Sequence, residues 1–376
     1  MKRTLGGLIL ILTITGFLKA IPAFARKYGF SCSVCHAPFP HLKEFGEEFA
    51  ANGFTIENEP RRARKKTGDR ILWLQKELPI AIRMDLYGTY RSSAESKPDI
   101  QAPYVLKFLS GGNISRNISY YMYFLLTEKG EIAGLEDAYI SFNRLFNLPI
   151  SLIIGQFRVS DPVKPSELRL TFENYMPYKF TVGNSRVRLS YERGIMFLYS
   201  TGFGTDISLE ILNGNGLQKE VFDTDRYKNL AGRIAQSFGP LTIGLMGYTG
   251  KEGLENPNSV TYVGPDFNLS FRKVQIFFQF LRRRDSNPLF LPDPEGFKTD
   301  ALFGEIILSP QGENGRLFLT ALYNYINSQY EPADYQTFTA NLNYLIRRNL
   351  KLILEYTEDL NGSQYDRFVV GFVTAF

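Results

Sequence analysis

From Leu78 to the terminal Phe376 the chain is written in segments of about ten residues in which apolar side chains alternate with polar or small ones. Val274, Ile276, Phe278 and Phe280 stand against Gln275 and Gln279, and Leu350, Leu352, Leu354 and Tyr356 against Lys351 and Glu355. A period of two puts successive side chains on opposite faces of a strand, so each segment has one face for lipid or a core and one for water. Sixteen such segments begin near Ile80, Tyr104, Ile118, Leu135, Ile150, Arg186, Asp206, Tyr227, Leu241, Thr261, Val274, Thr299, Gly315, Gln336, Leu350 and Arg367.

The connections alternate in length. Ser115-Arg116-Asn117, Gly239-Pro240, Arg272-Lys273 and Arg347-Arg348-Asn349 are tight turns, whereas 214–226, 285–298 and 359–366 are long loops. Outer-membrane barrels have short periplasmic turns, long external loops and an even strand number, and a soluble sandwich gives no such alternation. In lipid every backbone donor and acceptor must be paired internally, so the sheet has to close. The last segment carries Phe368, Val370, Phe372 and the terminal Phe376 on one face, which resembles the C-terminal signature by which outer-membrane barrels reach their insertion machinery. The expected fold is all-β: a 16-stranded antiparallel transmembrane β-barrel over residues 80–376, preceded by a short α-helical segment.

Composition narrows the alternatives. At 44% hydrophobic and 22% charged residues the chain is not disordered. Past the first 25 residues no apolar run approaches the roughly 20 residues that cross a bilayer as a helix. Of the 43 Lys and Arg, three (Lys2, Arg3 and Lys19) lie in the N-terminal stretch, which leaves 40 against 38 acids and no electrostatic case for nucleic acid as a partner.

Lys2 and Arg3, the apolar run Leu5 to Leu18 and Ala23-Phe24-Ala25 form the three parts of a secretory signal, residues 1–25, cleaved after Ala25. Residues 26–79 differ in composition from the alternating segments. Leu42, Phe45 and Phe49 share a face at spacings of three and four, which predicts one helix from Pro40 through Asn52, stopped by Asn52-Gly53. Arg61, Arg62, Arg64, Lys65 and Lys66 then read as a solvated linker, or as a surface for anionic lipid heads or an acidic partner.

The two cysteines of the chain both fall in Cys32-Ser33-Val34-Cys35-His36. Thiols three positions apart can add to the two vinyl groups of one haem, and the next imidazole can then ligate the iron. Cys32, Cys35 and His36 are therefore the expected attachment and proximal-ligand residues for one covalent haem c. A redox dithiol does not need the histidine, and a zinc site wants four ligands where the chain offers two Cys and two His, His36 and His41. For the sixth iron position His41, Met84, another ligand and an open site all remain.

Alternation turns Arg83, Asp85, Asp137, Arg188, Glu210, Arg233, Glu305, Arg316, Lys351 and Glu355 toward the lumen. Both signs are present, so a strongly ion-selective pore is not indicated. The longest interruption, 159–179, contains Pro162, Pro165, Tyr175, Met176, Pro177 and Tyr178, and should lie outside or fold inward as a constriction.

The run Ala20 to Arg26 leading into Cys32–His36, then Phe39-Pro40-His41-Leu42, Phe45-Gly46 and Asn52-Gly53-Phe54, resembles the fused monohaem cytochrome-porins of the outer membrane. In that family a short c-type cytochrome segment precedes a barrel of about sixteen strands, and characterised members oxidise ferrous iron outside the cell and pass the electron inward. The specific match covers some 35 residues, and the barrel agrees in architecture only. The resemblance implies a bacterial outer-membrane electron conduit, a cytochrome-linked ferrous-iron oxidase. Its partners would be membrane lipid, extracellular Fe(II) or another redox donor, and a periplasmic c-type cytochrome or other electron carrier. Cys32, Cys35 and His36 carry over, and no catalytic residue beyond them. Two other readings stand beside it: a porin-type solute channel with a haem-bearing plug, and outward electron transfer to an extracellular acceptor.

Overall fold

The chain was analysed as a computed structural model, which describes residues 23–376 apart from 57–63, 66, 77–78, 93–97, 133, 218–220 and 363–364. Most of the expected export signal, and Arg61, Arg62 and Lys66 of the basic run, lie outside the described residues.

Sixteen antiparallel strands close on themselves. They are β1 Ile80–Arg91, β2 Pro98–Asn113, β3 Ile118–Glu128, β4 Gly134–Phe142, β5 Ile150–Arg158, β6 Tyr191–Ser200, β7 Thr205–Leu212 and β8 Asn229–Phe238. The second half runs β9 Leu241–Glu252, β10 Asn258–Phe271, β11 Val274–Asp285, β12 Phe297–Leu308, β13 Leu317–Ser328, β14 Tyr335–Arg347, β15 Leu350–Asp359 and β16 Arg367–Ala375. β16 pairs back onto β1, with Phe372 opposite Leu86 and Val373 opposite Asp85. Phe376 extends the seam by exchanging backbone hydrogen bonds with Ile82 at 2.7 and 2.8 Å. Each of the sixteen strands thus has a neighbour on both sides, which is the condition lipid imposes.

The faces follow the alternation. Ile234, Leu245 and Val263 expose about half their surface on the outside, while Phe277, Gln279, Leu281, Arg283 and Asp285 of β11 are buried inside. Strands also approach closely: a Cβ on Gly264 would lie 1.7 Å from the Phe280 carbonyl oxygen, so only glycine fits that crossing.

Two strand starts lie five or more residues from the sequence reading. β2 begins at Pro98, six residues before Tyr104, because Pro103 and a register shift opposite Asp85 and Tyr87 mask the alternation there. β6 begins at Tyr191 and not Arg186: residues 186–190 do alternate in burial, but they stay with the infolded segment, where Arg283 donates to the Val187 carbonyl at 2.8 Å. Arg188 accordingly sits on no strand and is exposed, and Arg316 lies exposed on the turn before β13. Asp85, Asp137, Glu210, Glu305, Lys351 and Glu355 are buried within the barrel, and Arg233 reaches Asp266 there at 3.0 Å.

The N-terminal segment forms three short helices, α1 Ala23–Tyr28, α2 Cys32–Cys35 and α3 Glu44–Ala51. α3 starts four residues later than Pro40 because 36–43 turn back on themselves: the Ala37 N–H donates to the His41 carbonyl at 3.0 Å and the Lys43 N–H to the Cys35 carbonyl at 2.8 Å.

An Ile234→Arg substitution puts a guanidinium on the outer face halfway along β8. Equilibrium unfolding in lipid vesicles should show a loss of about 2–4 kcal/mol if that face meets hydrocarbon, and almost none if it meets water.

Candidate functional site

The attachment motif occupies one turn of helix. Ser31 caps α2, and the His36 N–H closes the turn on the Cys32 carbonyl at 2.9 Å. Cys32 and Cys35 are free thiols, both half-buried. Burial pushes both thiols up from their ordinary pKa, which keeps them neutral and argues against a dithiol tuned for exchange. Among the described residues no group of three or more His, Cys, Asp and Glu is arranged for a metal ion, so the zinc reading gains nothing.

His36 Nδ1 lies 3.0 Å from the Pro40 carbonyl oxygen. A carbonyl only accepts, so Nδ1 carries the proton and Nε2 presents its lone pair. Burial lowers the His36 pKa, which favours the neutral ring that can ligate a metal. The ring nevertheless keeps accessible surface and is not packed shut. Two free thiols one turn apart, followed by an imidazole with a fixed tautomer and room beside it, are a donor set that fits a c-type haem.

The hairpin after the motif reaches between the inward faces of the strands. His41 is buried and its Nε2 lies 2.6 Å from Gln275 Oε1 of β11. Burial is the main cause that brings the His41 pKa down to about 3, so the ring is neutral at pH 7. Ala37 packs with Phe318 and Leu345, and Phe39 joins a buried cluster with Tyr87, Ile353, Val369 and Val373. The Lys351 ammonium stands 5.7 Å from the centre of the Phe39 ring. Behind the hairpin, Phe54 stacks on Tyr121 of β3 at 5.0 Å; its other stacked neighbour, Phe24 at 4.9 Å, lies in the stretch that cleavage after Ala25 would remove. These contacts involve strand ends on the short-turn side, so the segment plugs that mouth. Met84 has the outward face of β1, next to inward Asp85, and so cannot serve as a ligand inside. His41 is inside, with Gln275 holding its Nε2.

From the other end, residues 159–190 fold into the barrel and are held by polar side chains of the wall. Glu355 accepts from the N–H groups of Phe172 at 2.6 Å and Glu173 at 2.9 Å, and Tyr175 donates to Glu305 at 2.8 Å. Glu167 takes Lys107 and Arg158, each at 2.6 Å. Fully buried Arg283 binds Asp285 at 2.6 and 2.7 Å and Ser185 at 2.7 Å. Of the two outcomes the sequence allowed for this stretch, the inward fold is the observed one. Lys107, Arg158, Glu167 and Arg283 were not among the residues expected at the lumen. For Arg283 the signal was available, since it shares the face of Gln275 and Gln279.

Above the infolded segment lies a cavity of about 880 Å³ at the long-loop mouth, lined by Tyr104, Phe172, Phe180 and Tyr335 with Lys179 and Arg367 among its charged groups. Packed side chains run from it toward the motif. Phe172 and Tyr104 are 5.1 Å apart and lie 5.0 and 5.3 Å from Tyr87. Tyr87 shares its cluster with Phe39, whose ring is 6.4 Å from that of His36.

A scan against protein-family models finds no match for the chain, and neither does a search of curated proteins. Solved structures do resemble it. OmpF of Salmonella typhi in complex with daunomycin matches with a TM-score of 0.60 at 13% identity, over 80% of this chain and 97% of that one. An anion-selective porin from Comamonas acidovorans gives 0.59 at 11%, over 80% and 99%. OmpT of Vibrio cholerae gives 0.58 at 10%, over 81% and 99%. At such identities the likeness shows the fold alone: a closed β-barrel of the porin type.

If the motif holds haem as its chemistry allows, protein matured in a host competent for c-type cytochromes keeps its haem through denaturing electrophoresis. A Cys32→Ala, Cys35→Ala double variant should lose all the colour from that band, whereas His36→Ala should keep attached haem with an altered absorption spectrum.

Proposed function

We propose that this chain is an electron conduit of the bacterial outer membrane. In this reading residues 1–25 are removed on export, 26–79 form a monohaem cytochrome segment seated in the periplasmic mouth, and 80–376 form the barrel. A haem on Cys32, Cys35 and His36 would supply a one-electron couple. Electrons would come from an extracellular donor, Fe(II) first among them, and leave to a periplasmic c-type cytochrome or other carrier.

The observation that carries the reading is a series of packed side chains from the outer cavity, with Phe172, Tyr104 and Tyr87 in ring contact and Tyr87 joined to Phe39, beside His36, in a buried cluster with Ile353, Val369 and Val373. A haem at one mouth is too small to bridge a layer of about 30 Å by itself. Electron tunnelling decays with the gap to be crossed, and packed side chains leave fewer gaps than a water-filled lumen. The chain's own residues set the geometry: the Pro40 carbonyl orients His36, the Gln275 contact seats the hairpin, and Glu355 holds Phe172 in place through its backbone. With the lumen entered from both ends, ferric product formed outside would stay outside. No proton transfer is required of the protein.

The porin likenesses favour a second reading, a solute channel with a haem-bearing plug, because the barrel is of their type and its interior is polar. They lend nothing to iron as the donor.

The two readings separate in liposomes carrying the matured protein. Fe(II) added on the long-loop side should reduce the haem band, and Tyr87→Leu with Phe172→Leu should slow that reduction while leaving the resting spectrum unchanged. Solute flux that is the same with and without haem, with no reduction by Fe(II), would establish the channel instead. Reduction only by a donor on the short-turn side would reverse the direction of flow.

A further inference from the structure

The two ends of the barrel differ in charge. Arg116, Arg144, Arg272, Lys273, Arg347 and Arg348 are all exposed on the short-turn rim, where Glu313 is the one acid of the described turns. At the long-loop end both signs are exposed among the described residues: Glu131, Glu255, Asp293, Glu295 and Glu331 stand with Lys129, Arg186, Arg188, Arg226 and Lys228. Arg116, Arg272, Lys273, Arg347 and Arg348 form no ion pair with a described residue; in the turns Glu313 pairs with Lys43 of the plug, at 3.7 Å.

The basic rim is joined to the attachment motif. Lys43, whose N–H is bonded to the Cys35 carbonyl at 2.8 Å, donates from Nζ to Asn314 Oδ1 at 2.9 Å. Arg348 donates to the carbonyls of Asn314 at 2.7 Å and Gly315 at 3.2 Å. Carbonyls orient the guanidinium without neutralising it, and they tie it to the same turn that Lys43 of the plug contacts. Val34 and Phe45 leave apolar surface exposed beside the motif. Glu44, Glu47 and Glu48 of α3 subtract from the field but do not cancel the ring around them.

We propose that the short-turn rim is a docking surface for a soluble acidic protein, the redox partner that meets the attachment motif at this mouth. The proposal rests on the electron-conduit reading for the partner's role, and on charge complementarity for its sign. Opposite charge around an apolar spot raises the encounter rate and orients the pair, and both effects weaken with salt.

The test uses full-length protein in nanodiscs and two probes of one fold: native cytochrome c, which is basic, and the same cytochrome succinylated to make it acidic. By surface plasmon resonance the acidic probe should bind and the basic one should not. Its association rate should fall on the order of tenfold or more in a variant carrying Arg272→Glu, Lys273→Glu, Arg347→Glu and Arg348→Glu. A similar fall should follow raising ionic strength from about 10 mM to about 150 mM, as the screening length shrinks from roughly 30 Å to roughly 8 Å. A Lys129→Glu variant at the opposite rim should bind like the parent. Equal binding of both probes, or binding indifferent to the rim substitutions, would overturn the proposal. So would binding that vanishes when phosphatidylglycerol replaces phosphatidylcholine, since the rim would then be a lipid headgroup site. Repeating the measurement with Cys32→Ala, Cys35→Ala protein separates this failure from that of the conduit, because docking needs the rim charges and not the haem.

Discussion

Hydrocarbon offers no partner to a peptide N–H or C=O, and that single fact organises the molecule. It forces the sheet to close at β16 and β1, and closure creates an interior that must then be furnished. In a barrel of this size the wall side chains alone do not fill the lumen. Here the filling comes from the chain itself, 159–190 from one end and the N-terminal segment from the other, and each brings backbone polar groups that the wall has to satisfy. Glu355 meets two such N–H groups, and Asn324 accepts another from Met176 at 3.0 Å. The charged lumen is largely a framework for holding the infolded chain.

That framework is built from paired charges away from bulk water. Such pairs add little net stability over an apolar core of equal volume, but removal of one partner leaves a stranded charge that costs several kcal/mol. Arg283 with Asp285, and Glu167 shared between Lys107 and Arg158, therefore specify one position for the infolded segment more than they strengthen the barrel. An aromatic contact between Phe172 and Tyr87 depends on that specification, because Phe172 has no regular secondary structure to place it.

Much of the architecture could be read from period two alone. Strand number, the inward set on β11, β15 and β16, and the turn asymmetry all follow from local alternation, which a strand in lipid must obey. Where a proline interrupts the pattern, at Pro103, the reading slipped. It slipped again at Arg186, where alternation persisted in chain that pairs with side chains and not with a neighbouring strand. The Cys32–His36 spacing is the local signal behind the haem proposal, and that motif was legible in the sequence. The partners of the plug were not, since Gln275, Phe318 and Val373 are far from it along the chain and nothing local marks them. The exclusion of Met84 likewise needed the face of β1, which is set by the seam.

Phe39 belongs to a cluster with members on both sides of that seam, Tyr87 from β1 and Val369 and Val373 from β16. A side chain that rests on the first and the last strand together has no final seat until the ring is joined. The final seat of the N-terminal hairpin thus cannot precede closure of the ring. Any group bound to Cys32 and Cys35 would have to lodge with the hairpin in a vestibule that exists only once the first and last strands have met.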